Sequence, residues 1–177
     1  LEIYADPERQ SNTAKSYLSK LGLSKDERDA IVFHQVVSPS LRAAFIGALK
    51  RIDVPGLAPL ARQLLTVTHP QEAVFLTRSV TALANLTTSP VPPRAVTLVG
   101  RLPVARTKMG LFAFIPADYV LWTPEFAQWM HRLKTIASRG QRTDNITIFI
   151  AGNASSLVRK NLSSLNITVR EQIPMSW

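Results

Sequence analysis

The stretch that decides the fold is Asn145-Ile146-Thr147-Ile148-Phe149-Ile150-Ala151-Gly152-Asn153-Ala154-Ser155-Ser156, together with Ile167-Thr168-Val169-Arg170 downstream. Its first seven residues are dense in β-branched side chains, which suit a pleated, half-buried surface, and read as a strand. Residues 155–165 read as a short helix and Ile167–Arg170 as a last strand. Strand, helix and strand in that order make a βαβ unit, which implies parallel pairing and a right-handed crossover.

Working outward, Thr123-Pro124-Glu125 has the form of a helix cap. The helix it opens should bury Phe126, Trp129, Met130, Leu133 and Ile136 and stop at Gly140. Upstream lie three strand-like runs: 96–99, which leads into Gly100-Arg101, then 111–115 and 119–122. Residues 88–95 carry three prolines in five positions and read as a stiff linker. Before it the period becomes helical. Ala14, Tyr17, Leu18 and Leu21 share a face, with Gly22 as the stop. Ser24 and Glu27 form a capping box, and the next helix should carry Ala30, Ile31, Phe33 and His34. Ser38-Pro39 opens a third helix with Leu41, Ala44, Phe45, Ala48 and Leu49 on one face. Residues 57–67 make a fourth, and His69-Pro70-Gln71-Glu72 starts a fifth. A short strand is expected over 1–5. The fold class is α+β, or α/β: a helical N-terminal half, then a small mixed sheet ending in the βαβ unit. The division falls at 1–90 and 91–177, as two subdomains or one continuous domain.

Composition bounds the chemistry. The 177 residues are 46% hydrophobic and 19% charged, with mean hydropathy near zero, which is enough apolar material for a core. No apolar run is long enough to span a bilayer, so no transmembrane segment is expected. No charged-then-apolar leader is visible and Leu1 is not a methionine, so the chain reads as a processed or trimmed piece of something longer. With no cysteine, disulfides, thiolate nucleophiles, zinc knuckles and iron–sulfur clusters are excluded together. The Arg-, Ala- and Leu-rich composition reads as bacterial, compatible with an exported or a cytoplasmic protein. Oligomeric state is not encoded in any pattern here.

The net charge of +9 is unevenly placed. Residues 1–90 hold ten Lys/Arg against eight Asp/Glu, and residues 91–177 hold eleven against four. If the basic side chains of the second half meet on one face, Arg101, Arg106, Arg139, Arg142 and Arg159 would bind an acidic protein partner, nucleic acid or another polyanion. The bland reading is a solvated basic face with cations complementing a helix end. A second candidate is the strand-to-helix turn at Gly152, Asn153, Ser155 and Ser156, where exposed amides can hold an anion. One glycine is neither a dinucleotide fingerprint nor a P-loop, so an ordinary helix cap explains that turn equally. His34, His69 and His131 are not spaced as metal ligands. His34 reads as a packed histidine with one satisfied nitrogen and His69 as a cap, so no metal and no cofactor is assigned. Asp118 reads as a turn residue and Glu125 as a first-turn complement to the helix dipole. Five of six asparagines begin Asn-x-Ser/Thr: Asn85, Asn145, Asn153, Asn161 and Asn166. They are glycosylation acceptors in a lumenal protein, or strand starts and caps, which Ile-Thr after Asn145 and Asn166 favours.

The functional expectation is a non-enzymatic binding or structural module, part of a larger or exported assembly. The alternative is a nucleic-acid-binding domain using the basic half. A small hydrolase or transferase at the 152–156 turn ranks third, because no nucleophile–base spacing supports it.

Overall fold

The structure, a computed structural model, describes residues 7–139 and 145–174, with side chains from residue 11 onward. The expected strand at 1–5, the stop at Gly140 and Arg142 lie outside the described residues. In chain order the helices are α1 (Pro7–Lys20), α2 (Lys25–Val32), α3 (Pro39–Ile52), α4 (Leu57–Gln63), α5 (Pro70–Asn85), α6 (Pro124–Ser138) and α7 (Ser156–Ser164). The strands are β1 (Ala95–Val99), β2 (Leu102–Thr107), β3 (Gly110–Ile115), β4 (Tyr119–Val120), β5 (Ile146–Ile150), β6 (Asn153–Ala154) and β7 (Ile167–Arg170).

The helices α2, α3 and α5 begin where their caps are written. Ser24 N–H donates to Glu27 Oε2 at 2.8 Å and Glu27 N–H returns to Ser24 Oγ at 3.2 Å, so two orphan amides are satisfied at once. Leu41 N–H donates to Ser38 Oγ at 3.3 Å ahead of α3. Phe45, Ala48, Leu49 and Ile52 of α3 face Ala73, Leu76, Val80 and Leu83 of α5, and all eight are buried. Two elements end sooner than their apolar runs suggest. The fourth helix, expected over 57–67, is α-helical only to Gln63 and continues as a single 3₁₀ turn at Leu64–Thr66. α2 closes at Val32, and Phe33, expected on its buried face, is 62% exposed. Beyond the last helical turn the 3.6-residue period no longer applies, and the Phe33 ring instead takes the Lys15 ammonium, 4.6 Å from its centroid.

Five strands form one mixed sheet in the order β1-β2-β3-β5-β7, with β1–β2 and β2–β3 antiparallel and β3–β5 and β5–β7 parallel. β4 and β6 make a separate parallel pair. The C-terminal βαβ unit is therefore present as β5–α7–β7, and β3–α6–β5 is a second crossover of the same kind. β2 has no counterpart in the sequence reading, because Pro103 interrupts its alternation. The proline is tolerated since pairing with β3 begins one residue later, at Val104↔Ala113.

The sheet is covered on both faces. Val96, Ala105 and Phe114 join the core of the five N-terminal helices. Val104, Leu111, Ala113, Ile146, Ile148 and Ile150 point the other way, against Phe126, Met130 and Leu133 of α6 and Val158 and Leu162 of α7. The buried stripe of α6 is Phe126, Met130, Leu133 and Ala137. Trp129, expected inside it, sits on the flank and is half-buried. At 100° per residue, position 129 lies a full step round from Met130.

The outer edge of β1 is closed by the loop after α3. Val96 N–H donates to the Pro55 carbonyl at 2.8 Å. Gly56, with φ of 99°, lies so close that an added Cβ would stand 1.7 Å from the Val96 oxygen. Gly56→Ala should therefore cost about 2–4 kcal/mol in urea denaturation, from the positive φ and the backbone collision together. A loss below about 0.5 kcal/mol would mean that this loop does not seal β1.

Candidate functional site

Glu72 sits in the first turn of α5, where a carboxylate complements the helix N-terminus. Its Oε2 accepts the Thr68 N–H at 2.8 Å, the His69 N–H at 3.3 Å and the Thr68 hydroxyl at 3.3 Å. Its Oε1 accepts Arg101 Nη1. The backbone bond from Thr68, then the guanidinium, push the Glu72 carboxyl down from an ordinary 4.5 to about 2. Arg101 reaches α5 from the two-residue turn Gly100-Arg101 that joins β1 to β2. Gly100 has φ of 62° while Arg101 stays at negative φ, the pattern of a II′ hairpin turn. Glycine is required twice over: an added Cβ would stand 2.1 Å from Trp129 Nε1, so the indole of α6 lies against the bare turn.

These elements enclose a cleft of about 320 Å³ between α5, the turn and α6. Val67, Phe75, Leu76 and Trp129 wall it, and Glu72 and Arg101 form its charged rim. Apolar walls with a few converging polar groups are the usual make-up of a ligand site. Of the cleft residues the sequence reading singled out only Arg101 as a ligand contact. By pattern Trp129 belongs to a helix core and Glu72 to a helix start.

The four described arginines of that set are spread over the molecule. Arg101 and Arg106 lie at opposite ends of β2, roughly 17 Å apart at about 3.3 Å per residue. Arg106 lies near the β2–β3 turn with Lys108, and Arg139 follows α6 on the way to β5, whose start abuts that turn through the Leu111 N–H to Asn145 carbonyl bond of 2.7 Å. Arg159 is on α7 at the β7 edge, its Nε and Nη2 on Glu171 Oε2 and Oε1 at 2.7 and 2.8 Å. Arg142 lies outside the described residues.

In the 152–156 turn the amides of four residues are spent within the chain. Gly152 N–H donates to the Ala117 carbonyl, Asn153 N–H to that of Asp118 and Ser155 N–H to that of Val120, each at 2.9 Å. Ala154 N–H donates to Glu171 Oε1 at 2.6 Å. The anion held at this strand-to-helix turn is thus the chain's own Glu171. Ser155 Oγ accepts the Val158 N–H at 3.2 Å as the α7 cap, Asn153 Oδ1 accepts Gln172 Nε2 at 3.1 Å, and Ser156 begins the helix. Asn166 takes φ of 53° in the turn before β7, a conformation asparagine tolerates. The buried Nδ1 of His34 has no hydrogen-bond partner among the described residues, and His69 is the residue ahead of α5. Among the described residues no group of three or more His, Asp or Glu could hold a metal ion, and no helix is long and apolar enough to cross a membrane.

Comparison with protein-family models, curated proteins and solved structures finds no match to this chain.

The Glu171 cross-link has a pH signature. Arg159, then the Ala154 amide, push its carboxyl from an ordinary 4.5 down to about 2. A folded-state value below the unfolded one stabilises fully above pH 4.5, and that contribution is lost as pH falls toward 2. Thermal melts of Glu171→Gln should be destabilised at pH 7 and should converge on the wild type near pH 2. Parallel curves across that window would show that the pair is not formed in solution.

Proposed function

We propose that this protein is a non-enzymatic binding module whose recognition site is the cleft between α5, the β1–β2 turn and α6. The observation behind this reading is the combination in one place of four apolar walls and a fixed ion pair at the rim. The walls come from the helical layer and α6 and the rim from α5 and the hairpin, so the site is set by the whole fold. The chemistry around it argues for holding rather than converting a ligand. Carboxyls held at about 2 carry no proton to donate at neutral pH and are weak bases, so Glu72 and Glu171 are poor general acids and bases. Ser155 Oγ is committed to its cap.

The test uses the uncharged apolar dye N-phenyl-1-naphthylamine with the whole chain. The dye should bind saturably with one site per chain. Trp129→Ala and Phe75→Ala should each weaken it about tenfold, provided circular dichroism shows both variants folded. Non-saturating binding that is indifferent to both substitutions would remove the cleft as the recognition site.

A second reading, nucleic-acid or other polyanion binding, draws on the placement of Arg106, Lys108 and Arg139 at one end of the sheet. It requires steep salt dependence, because each neutralised phosphate releases condensed counterions. Under it, Arg139→Ala with Arg142→Ala lowers both the affinity for duplex DNA and the slope against salt. Weak retention unaffected by the double substitution leaves these arginines as a solvated face.

A further inference from the structure

We infer that the cleft takes a small apolar acid, with the ligand's carboxylate on Arg101 and its apolar body between Phe75, Leu76, Val67 and Trp129. This rests on the cleft being the recognition site and adds the class of ligand. Arg101 makes a single hydrogen bond to the described residues, from Nη1 to Glu72 Oε1. Its Nε and Nη2 donors are unspent among those residues, and its side chain is 49% exposed at the rim. A guanidinium offers five donors in a flat fork, so one edge can stay on Glu72 while another takes a second carboxylate in two parallel bonds.

Glu72 makes this arrangement workable. Its Oε2 is already saturated by Thr68 and His69, which hold the carboxylate still and absorb its charge independently of Arg101. Glu72 is thus a positioning residue: it anchors the guanidinium at the rim through Nη1, and the arriving anion need not displace it. The walls offer no comparable partner to a cation, since Glu72 alone is acidic among the lining residues and its Oε1 is already on Arg101. A neutral apolar ligand would use the walls and leave the Arg101 donors to water.

The experiment displaces N-phenyl-1-naphthylamine from the whole chain at pH 7 with octanoate, 1-octanol and octylamine, which share one chain length and differ in charge. Octanoate should be the tightest, about tenfold tighter than 1-octanol, the gain of a charge-assisted pair. In Arg101→Gln the order of octanoate and octanol should reverse, because a carboxylate brought to an apolar cleft without a partner bears its desolvation cost uncompensated. Arg101→Lys should recover part of the preference, since it keeps the charge and loses the fork. The readout is the ratio of two displacement constants within each variant, so a change in overall stability does not mimic it. Octanol or octylamine binding as tightly as octanoate to the wild type, or an unchanged ratio in Arg101→Gln, overturns the inference while leaving the cleft a binding site. Failure of the dye to bind saturably overturns both.

Discussion

The alternation along β3 holds the layers of this molecule together. Leu111, Ala113 and Ile115 enter the core beneath α6 and α7, while Phe114 enters the core of the N-terminal helices and Phe112 packs against its edge. Because side chains alternate strictly, a slip of one residue would exchange the two sets and empty both cores. The register is pinned from both sides at Ala113, which pairs with Val104 of β2 and with Ile148 of β5. Ala113 belongs to the same buried cluster as Met130 and Leu133 of α6. On the opposite face the Phe114 and Phe149 rings stack with centroids 4.6 Å apart, joining β3 to β5 under the helical layer.

The positive field of the second half is partly consumed by the fold itself. Arg101 and Arg159 each clamp a carboxylate from a distant element: Glu72 at the head of α5, and Glu171 beside the head of α7. Both acids also accept backbone N–H groups, so each ties a helix start to a strand or turn. Exposed pairs of this sort add little stability individually, but they fix geometry where backbone donors hold the same carboxylate. Among the described residues the arginine surplus is therefore not one patch. It supplies two cross-links at the ends where the parallel strands finish, and a separate basic end around Lys108 and Arg139.

Much of the architecture was legible in the residues. Capping boxes, prolines in first turns and the isoleucine-rich strand are local signals, and α2, α3, α5, α6 and β5–α7–β7 start where those signals put them. The errors have physical causes. β2 was missed because Pro103 breaks its pattern, and its acceptability depends on where β3 begins to pair, which is tertiary information. Trp129 was assigned to the core by hydrophobicity, although its angle on α6 places it at the stripe's margin. The cleft was illegible for a related reason. Val67, Phe75 and Trp129 come from three separate segments, and nothing along the chain says that they face a common space.

That cleft is a by-product of constraints imposed elsewhere. A carboxylate at Glu72 is demanded by the start of α5, whatever lies beyond it. Glycine at position 100 is demanded by a two-residue hairpin turn with positive φ. Once both are in place, Arg101, the other residue of that turn, is within reach of Glu72, and Trp129 has a bare backbone to rest on. The indole stands clear of the core because the stripe of α6 is already filled by Phe126, Met130 and Leu133. A helix cap, a hairpin turn and a surplus aromatic thus converge to build an apolar cleft with an oriented guanidinium at its rim, and each of the three would exist without the other two.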